Sequence, residues 1–364
     1  MFLKNIQLIN FKNYTDSSFD FADGINCIVG LNGLGKTNLL DAIHYLSMCK
    51  SYFSSLDQLN IKHEADFFAI HGTFQSEEGE GVDKVSCIQQ KEHKKVFKIN
   101  QKEYARLSDH IGLFPSVMIS PYDSDYINGG SDLRRKYFDS VISQYNRIYL
   151  DNLIQYNKVL MQRNSLLKHF AEKSYYDKDA IAIWTDKLIA LGNDIYKVRK
   201  EFIHDFIPVF NTFFNKISAK EENVSILYES SLHENNFDAL MRKNEKRDMQ
   251  AQYTLAGINK DDYSFLMNTY QVKKFCSQGQ QKTFLISLKL AHYEYLKNIK
   301  QTKPMLLLDD VFDKLDDTRV EKLTAMVAHK DFGQVFITHT QKYRMEELLH
   351  NAGISFRLHE ITKE

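Results

Sequence analysis

Residues 25–40 read INCIVGLNGLGKTNLL and place Gly30, Gly33 and Gly35 between an apolar run and a Lys-Thr pair. Glycine loses more conformational freedom on folding than any other residue, so this clustering points to backbone shapes that other residues refuse. The pattern G-x-x-x-x-G-K-T fits a phosphate-binding loop. In such a loop the amides of residues 33–37, with the N-terminal end of a helix starting near Lys36, cradle phosphate oxygens. Lys36 then reaches the β- and γ-phosphates, and the Thr37 hydroxyl binds Mg²⁺. The nucleotide-binding candidates are Gly30, Leu31, Asn32, Gly33, Leu34, Gly35, Lys36 and Thr37. A plain strand-loop-helix turn would use the same residues.

A second group of chemical residues ends an apolar run, PMLLLDD at 304–310. Ligands of open α/β sheets bind beyond the carboxyl ends of the strands. Asp309 is then placed to hold Mg²⁺ in the manner of a Walker-B aspartate. Asp310 would orient or deprotonate the attacking water. A third group, SQGQQ at 277–281, opens a helical stretch. Ser277 and Gln280 fit a capping box. Capping does not need Gly279, however, whereas a serine, a glycine and a helix N-terminus together make a second anion site. Two phosphate sites in one chain are the arrangement of ABC-type ATPase heads, in which the loop Ser277, Gln278, Gly279 and Gln280 of one subunit closes on the γ-phosphate held by another. The stretch DKLD at 313–316 follows at the D-loop position. VFITH at 335–339 reads as another buried strand, ending in His339, either a γ-phosphate sensor or a polar strand end.

These groups require strands ending at Val29, Leu308 and His339, and helices starting near Lys36 and Gln278. The 364 residues suffice for about two domains at the usual ~150 each. The first 125 residues look α/β. From Ser131 to Ala256 the chain carries a single glycine and a single proline, with apolar residues at helical spacing on either side of a turn near 175–179. The expected organisation is an ATPase lobe at 1–125, a helical lobe at 126–256 and the rest of the ATPase lobe at 257–364. The fold class is therefore α/β, an ABC-type P-loop ATPase head with a helical second lobe inserted between the Walker A and signature motifs.

Lys+Arg and Asp+Glu both number 47, so any nucleic-acid site must be a local basic patch. The four scattered cysteines, without a C-x-x-C pair, read as reduced thiols in a cytoplasmic protein without a zinc site. No apolar run approaches the ~18 residues of a membrane span, and no signal peptide or membrane association is expected.

The chain resembles the RecF family of SMC-like ABC ATPases. The resemblance rests on NFKNY at 10–14, GLNGLGKTNLLDAI at 30–43, KSYF at 50–53, ISPYD at 119–123, RRKYFD at 134–139, SQGQQKT at 277–283 and LLLDDVFDKLD at 306–316. It implies ATP and Mg²⁺ as ligands, a homodimer on ATP binding, and binding to DNA at gaps and single-strand/double-strand junctions. It also implies help in loading recombinase, with RecR and RecO as partners. Lys12 and Asn13, in the first motif, would join the nucleotide site, and Arg134, Arg135 and Lys136 match the family's basic cluster. The chain departs from the family at Lys12, where arginine is usual, at GINKDD (257–262) for G-P-H-R-D-D, and at DKLD for S-E-L-D. Lysine keeps the charge and loses the bidentate fork. Two rival readings are the ATP-binding subunit of a membrane transporter, whose signature spells L-S-G-G-Q nearer the P-loop, and a small-molecule P-loop kinase. A nuclease fused to an ABC head would need a further carboxylate cluster, which the sequence does not show.

Overall fold

The computed structural model describes residues 1–362 except 77–80, 174, 219–221, 313–315 and 329–330, and the side chain of residue 328. Most of the DKLD stretch thus lies outside the described residues. The chain forms two compact units. The first comprises Met1–Asp123, Phe213–Ala219 and Lys282–Glu364; the second comprises Ser124–Thr212 and Lys220–Gln281.

Among the described residues the first unit contains two sheets. One has five strands in the order Phe356–Glu360, Ile25–Val29, Val335–His339, Met305–Leu308 and Ser116–Ile119, all pairs parallel. Its inner strands INCIV, VFITH and MLLL and the edge strand SVMI are buried throughout, so they read as largely apolar runs instead of alternating ones. The other sheet is antiparallel, with Phe2–Phe11 between Tyr14–Asp20 and Phe67–Gln75, followed by Val82–Gln90, Val96–Ile99 and Lys102–Glu103. The helix Lys36–Met48 touches strands of both sheets. Its buried residues Leu39, Leu40, Ile43, Tyr45 and Leu46 join Phe11, Phe68, Phe74 and Leu307 in one core.

The second unit holds the helices Ser131–Ser143, Arg147–Lys173 and Phe237–Ala251, and most of Lys178–Ile217. Lys173 and Lys178 bound the turn expected near 175–179. The compositional change at Ala256 is not a boundary between the units. The strand Asp262–Met267 pairs antiparallel with Val224–Glu229, and both belong to the second unit. Among the described residues no helix is long and apolar enough to cross a membrane.

Two buried arginines organise the second unit. Arg163 donates to Asp248 at 2.8 Å and to Thr254 at 2.7 Å. Arg199 donates to both carboxylate oxygens of Asp139 (2.9 and 3.0 Å) and to Asp261 and the Ile258 carbonyl, both at 3.0 Å. Removing one partner of a buried ion pair strands the other charge, at a cost of about 3–5 kcal/mol. Arg199→Met should lower the stability of the protein by about that amount in chemical denaturation. A loss below about 1 kcal/mol, the scale of an exposed pair, would refute this account.

Candidate nucleotide site

The glycine-rich loop joins the strand Ile25–Val29 to the helix Lys36–Met48. Gly30, Gly33 and Gly35 hold φ of 155°, 83° and 106°, a region that strains any L side chain. A methyl group on Gly30 would sit 2.6 Å from the Ile361 carbonyl oxygen, and one on Gly35 would sit 2.5 Å from the Asn13 amide. Gly35 is also the helix N-cap and offers no side chain to the first-turn amides, which are left for a ligand. Leu31, Asn32 and Gly33 are exposed at the loop tip, and Leu34 is half-buried. The Lys36 ammonium is buried against the loop, donating to the carbonyls of Gly30 (2.8 Å) and Leu31 (3.1 Å).

The NFKNY segment braces this loop. Asn13 donates to the Leu34 carbonyl at 2.9 Å and accepts from Asn38 at 2.6 Å, while the Tyr14 hydroxyl donates to the Gly35 carbonyl at 3.0 Å. Lys12 holds a left-handed φ of 52°. Its ammonium pairs with Asp41 at 2.6 Å and lies over the Phe53 ring at 5.2 Å from the centroid.

Thr37 and Asp309, far apart in sequence, meet: the Thr37 hydroxyl donates to Asp309 Oδ1 at 2.8 Å. They meet because the parallel sheet aligns the ends of Val29 and Leu308, with one strand, Val335–His339, between them. Thr338 donates to Asp309 Oδ1 at 3.0 Å and Ser120 to Oδ2 at 3.3 Å. Burial, helped by the neighbouring Asp310 carboxylate, pushes the Asp309 carboxyl above its ordinary pKa despite these three hydroxyls. A hydroxyl and a carboxylate side by side are the donor set that binds Mg²⁺ together with phosphate oxygens, so these residues fit the cation. Asp310 is less buried, holds a left-handed φ of 45° and donates its N–H to Thr338 at 2.9 Å. That backbone shape costs a non-glycine residue about 1–2 kcal/mol.

His339 is buried at its strand end, and its Nδ1 accepts from the Gln341 N–H at 2.8 Å. When the ring is neutral its proton is therefore on Nε2. Ser120 and Thr338, hydroxyls on Asp309, were not foreseen as site residues. Their signal was present in ISPYD and VFITH, but a lone hydroxyl at a strand end has no distinguishing spacing.

In the second unit, Ser277 and Gln280 form the reciprocal capping box: Gln280 Oε1 accepts from the Ser277 N–H at 2.8 Å, and Ser277 Oγ accepts from the Gln280 N–H at 3.3 Å. Gln280 also donates to Glu222 at 2.7 Å. The helix Gln278–Lys300 thus starts with Gln278 and Gly279, and Ser277 and Gln278 are exposed.

Two residues of the expected basic patch are paired within the chain. Arg134 is held bidentately by Asp262 (2.8 and 2.9 Å) and donates to the Gly129 carbonyl at 3.0 Å. Arg135 donates to the Asp261 carbonyl. RRKYFD and GINKDD are therefore partners, the two arginines of the first donating to the Asp262 carboxylate and the Asp261 carbonyl of the second. Lys136 is exposed, its amine 3.6 Å from Asp132. Arg163 and Arg199, on the helices Arg147–Lys173 and Lys178–Ile217, are buried as well.

The RecF/RecN/SMC N terminal domain family matches residues 2–363. A curated relative from Flavobacterium johnsoniae, a DNA replication and repair protein RecF, is 47% identical over 98% of this chain and 99% of its own. The solved structure of the recombination mediator protein RecF-ATP in the RecFOR pathway has a TM-score of 0.87 at 33% identity, covering 93% of this chain and 92% of that one. A Smc head domain from Pyrococcus furiosus shares the fold, with a TM-score of 0.55 at 16% identity over 95% and 91% of the two chains. The fold is thus the ABC-type ATPase head with a helical insertion. With its motifs in family order and nearly its whole length matched, the chain belongs to the RecF family.

Proposed function

We propose that this protein is an ATP-dependent DNA-binding protein of DNA replication and recombinational repair. It dimerises on ATP, binds single-strand/double-strand junctions and helps load recombinase at gaps. The observation that carries the reading is the meeting of Thr37 with Asp309 at the mouth of the glycine-rich loop. It assembles a cation site beside a phosphate cradle, and the RecF relatives supply the DNA context. The transporter reading loses to them. RecR and RecO are the partners that the RecFOR pathway of the neighbouring structure brings to mind.

In this reading the loop amides and Lys36 hold the β- and γ-phosphates, with Lys12 and Asn13 flanking them. Thr37 and Asp309 hold Mg²⁺, which neutralises charge on the phosphates. Asp310 orients or deprotonates water, and His339 faces the γ-phosphate side. Ser277, Gln278, Gly279 and Gln280 close on the nucleotide of a second copy. Lys136 is offered to DNA phosphates, while Arg134 and Arg135 shape the surface that presents it. Aspartate at 310 is one methylene shorter than glutamate, setting its carboxylate about 1.5 Å back. A displacement of about 1 Å can cost about 100-fold in rate. ATP hydrolysis is accordingly slow and works as a switch.

Lys36→Ala should abolish tight ATP binding with the fold intact by circular dichroism, because the ammonium is the main counter-charge to the β/γ-phosphates. Parental ATP affinity in the folded variant would sink the site.

Asp310→Asn should bind Mg²⁺ and ATP, lose at least about 10-fold in hydrolysis, and accumulate as an ATP-bound dimer on DNA. Asp309→Asn should instead weaken Mg²⁺-dependent binding. Hydrolysis at the parental rate in Asp310→Asn removes it as the base.

The whole reading is tested by binding to gapped, tailed and blunt duplexes with and without ATP. Junction-bearing DNA should bind more tightly with ATP, and affinity should fall with salt as counterions are released. Equal affinity for all three, whatever the nucleotide, would end the reading.

A further inference from the structure

We propose that Asp123, Lys289 and Tyr52 form an outer shell that positions the Asp309 carboxylate and so sets the divalent-cation requirement of nucleotide binding. This rests on the reading of Thr37 and Asp309 as the cation site. The three residues come from separate parts of the first unit: the turn Pro121–Asp123, the helix Gln278–Lys300 and the segment after Lys36–Met48. The Lys289 ammonium donates to Met118 O at 2.9 Å, to the Tyr52 hydroxyl at 2.7 Å and to Asp123 Oδ1 at 3.1 Å. Its three N–H groups thus meet three acceptors. The Tyr52 hydroxyl donates in turn to Asp123 Oδ1. Asp123 Oδ2 accepts from the Ser120 N–H at 2.9 Å, and Ser120 Oγ reaches Asp309 Oδ2 at 3.3 Å. A continuous hydrogen-bonded chain therefore runs from a buried ammonium to the carboxylate beside Thr37.

Lys289 and Asp123 are each only 2% exposed. Well-packed apolar residues of similar volume often hold such a place as firmly as a buried ion pair, so stability is a weak reason for one here. What an apolar pair would not supply is the acceptor that fixes the Ser120 backbone and aims its hydroxyl. The strand Ser116–Ile119 fixes the same corner from the other side, because the Asp309 N–H donates to the Ile119 carbonyl at 2.8 Å. Partners beyond the direct ligands of a metal commonly change its affinity or the activity by about 10–100-fold.

The test uses the double variant Lys289→Met/Asp123→Leu, which removes both charges together, and Tyr52→Phe, which keeps the ring. Binding of a fluorescent ATP analogue is titrated with Mg²⁺, alongside a thermal melt. The double variant should melt near the parent, bind the analogue at saturating Mg²⁺, and need about 10-fold more Mg²⁺ at the midpoint. Tyr52→Phe should move the midpoint in the same direction, and it decides the matter if the double variant fails to fold. An unchanged midpoint in Tyr52→Phe, or in the folded double variant, overturns the proposal. Parental binding that does not depend on Mg²⁺ would instead remove the cation site itself.

Discussion

The first unit is arranged around a carboxylate held out of water. Asp309 is 2% exposed, and among the described residues the side chains that hydrogen-bond to its carboxylate are hydroxyls: Thr37, Ser120 and Thr338. None of them carries a charge to offset its own, so burial lifts its pKa and makes the ionised form costly. The cost is tolerable only where something positive is expected. Thr338 lies on one parallel strand, Ser120 directly follows another and Thr37 opens the helix that follows a third, so the site exists only if all three strands end at the same level.

The strands and helices that carry the chemistry were legible, because buried parallel strands are unbroken apolar runs and glycine clusters announce their loop. The strand expected to end at Val29 ends there, and the helix expected to start near Lys36 starts at that residue. Less visible were contacts that depend on a single ordinary side chain. The support of Asn13 and Tyr14 for the loop has no periodicity, and neither do the hydroxyls on Asp309. The extent of the second unit was hidden for another reason. Its small sheet joins Val224–Glu229 to Asp262–Met267 across a helix, and strand pairing over that separation leaves no trace in composition.

Charge was the least reliable guide. Arginines at 134, 135, 163 and 199 lie on helices in a pattern that a solvated or DNA-facing surface would also show. Their guanidinium groups turn inward to Asp262, Asp248, Asp139 and Asp261 and to backbone carbonyls. The planar fork suits this work, since it pairs bidentately with a carboxylate and spreads its remaining N–H groups over carbonyls. Sequence alone cannot separate an arginine that meets a ligand from one that meets its own chain, as both need the same donors.

The strand order of the parallel sheet has a consequence for synthesis. Ile25–Val29 is made early, yet its two neighbours are Val335–His339 and Phe356–Glu360, near the other end of the chain. The antiparallel sheet, by contrast, uses residues 2–103, so all its strands have emerged before the second unit is made. During translation the strand that feeds the glycine-rich loop must therefore wait, apolar on both faces, while the whole second unit is synthesised. Such a wait favours slow, non-local folding and exposes a sticky segment to aggregation. The nascent chain would be expected to lean on chaperones until its last strands emerge.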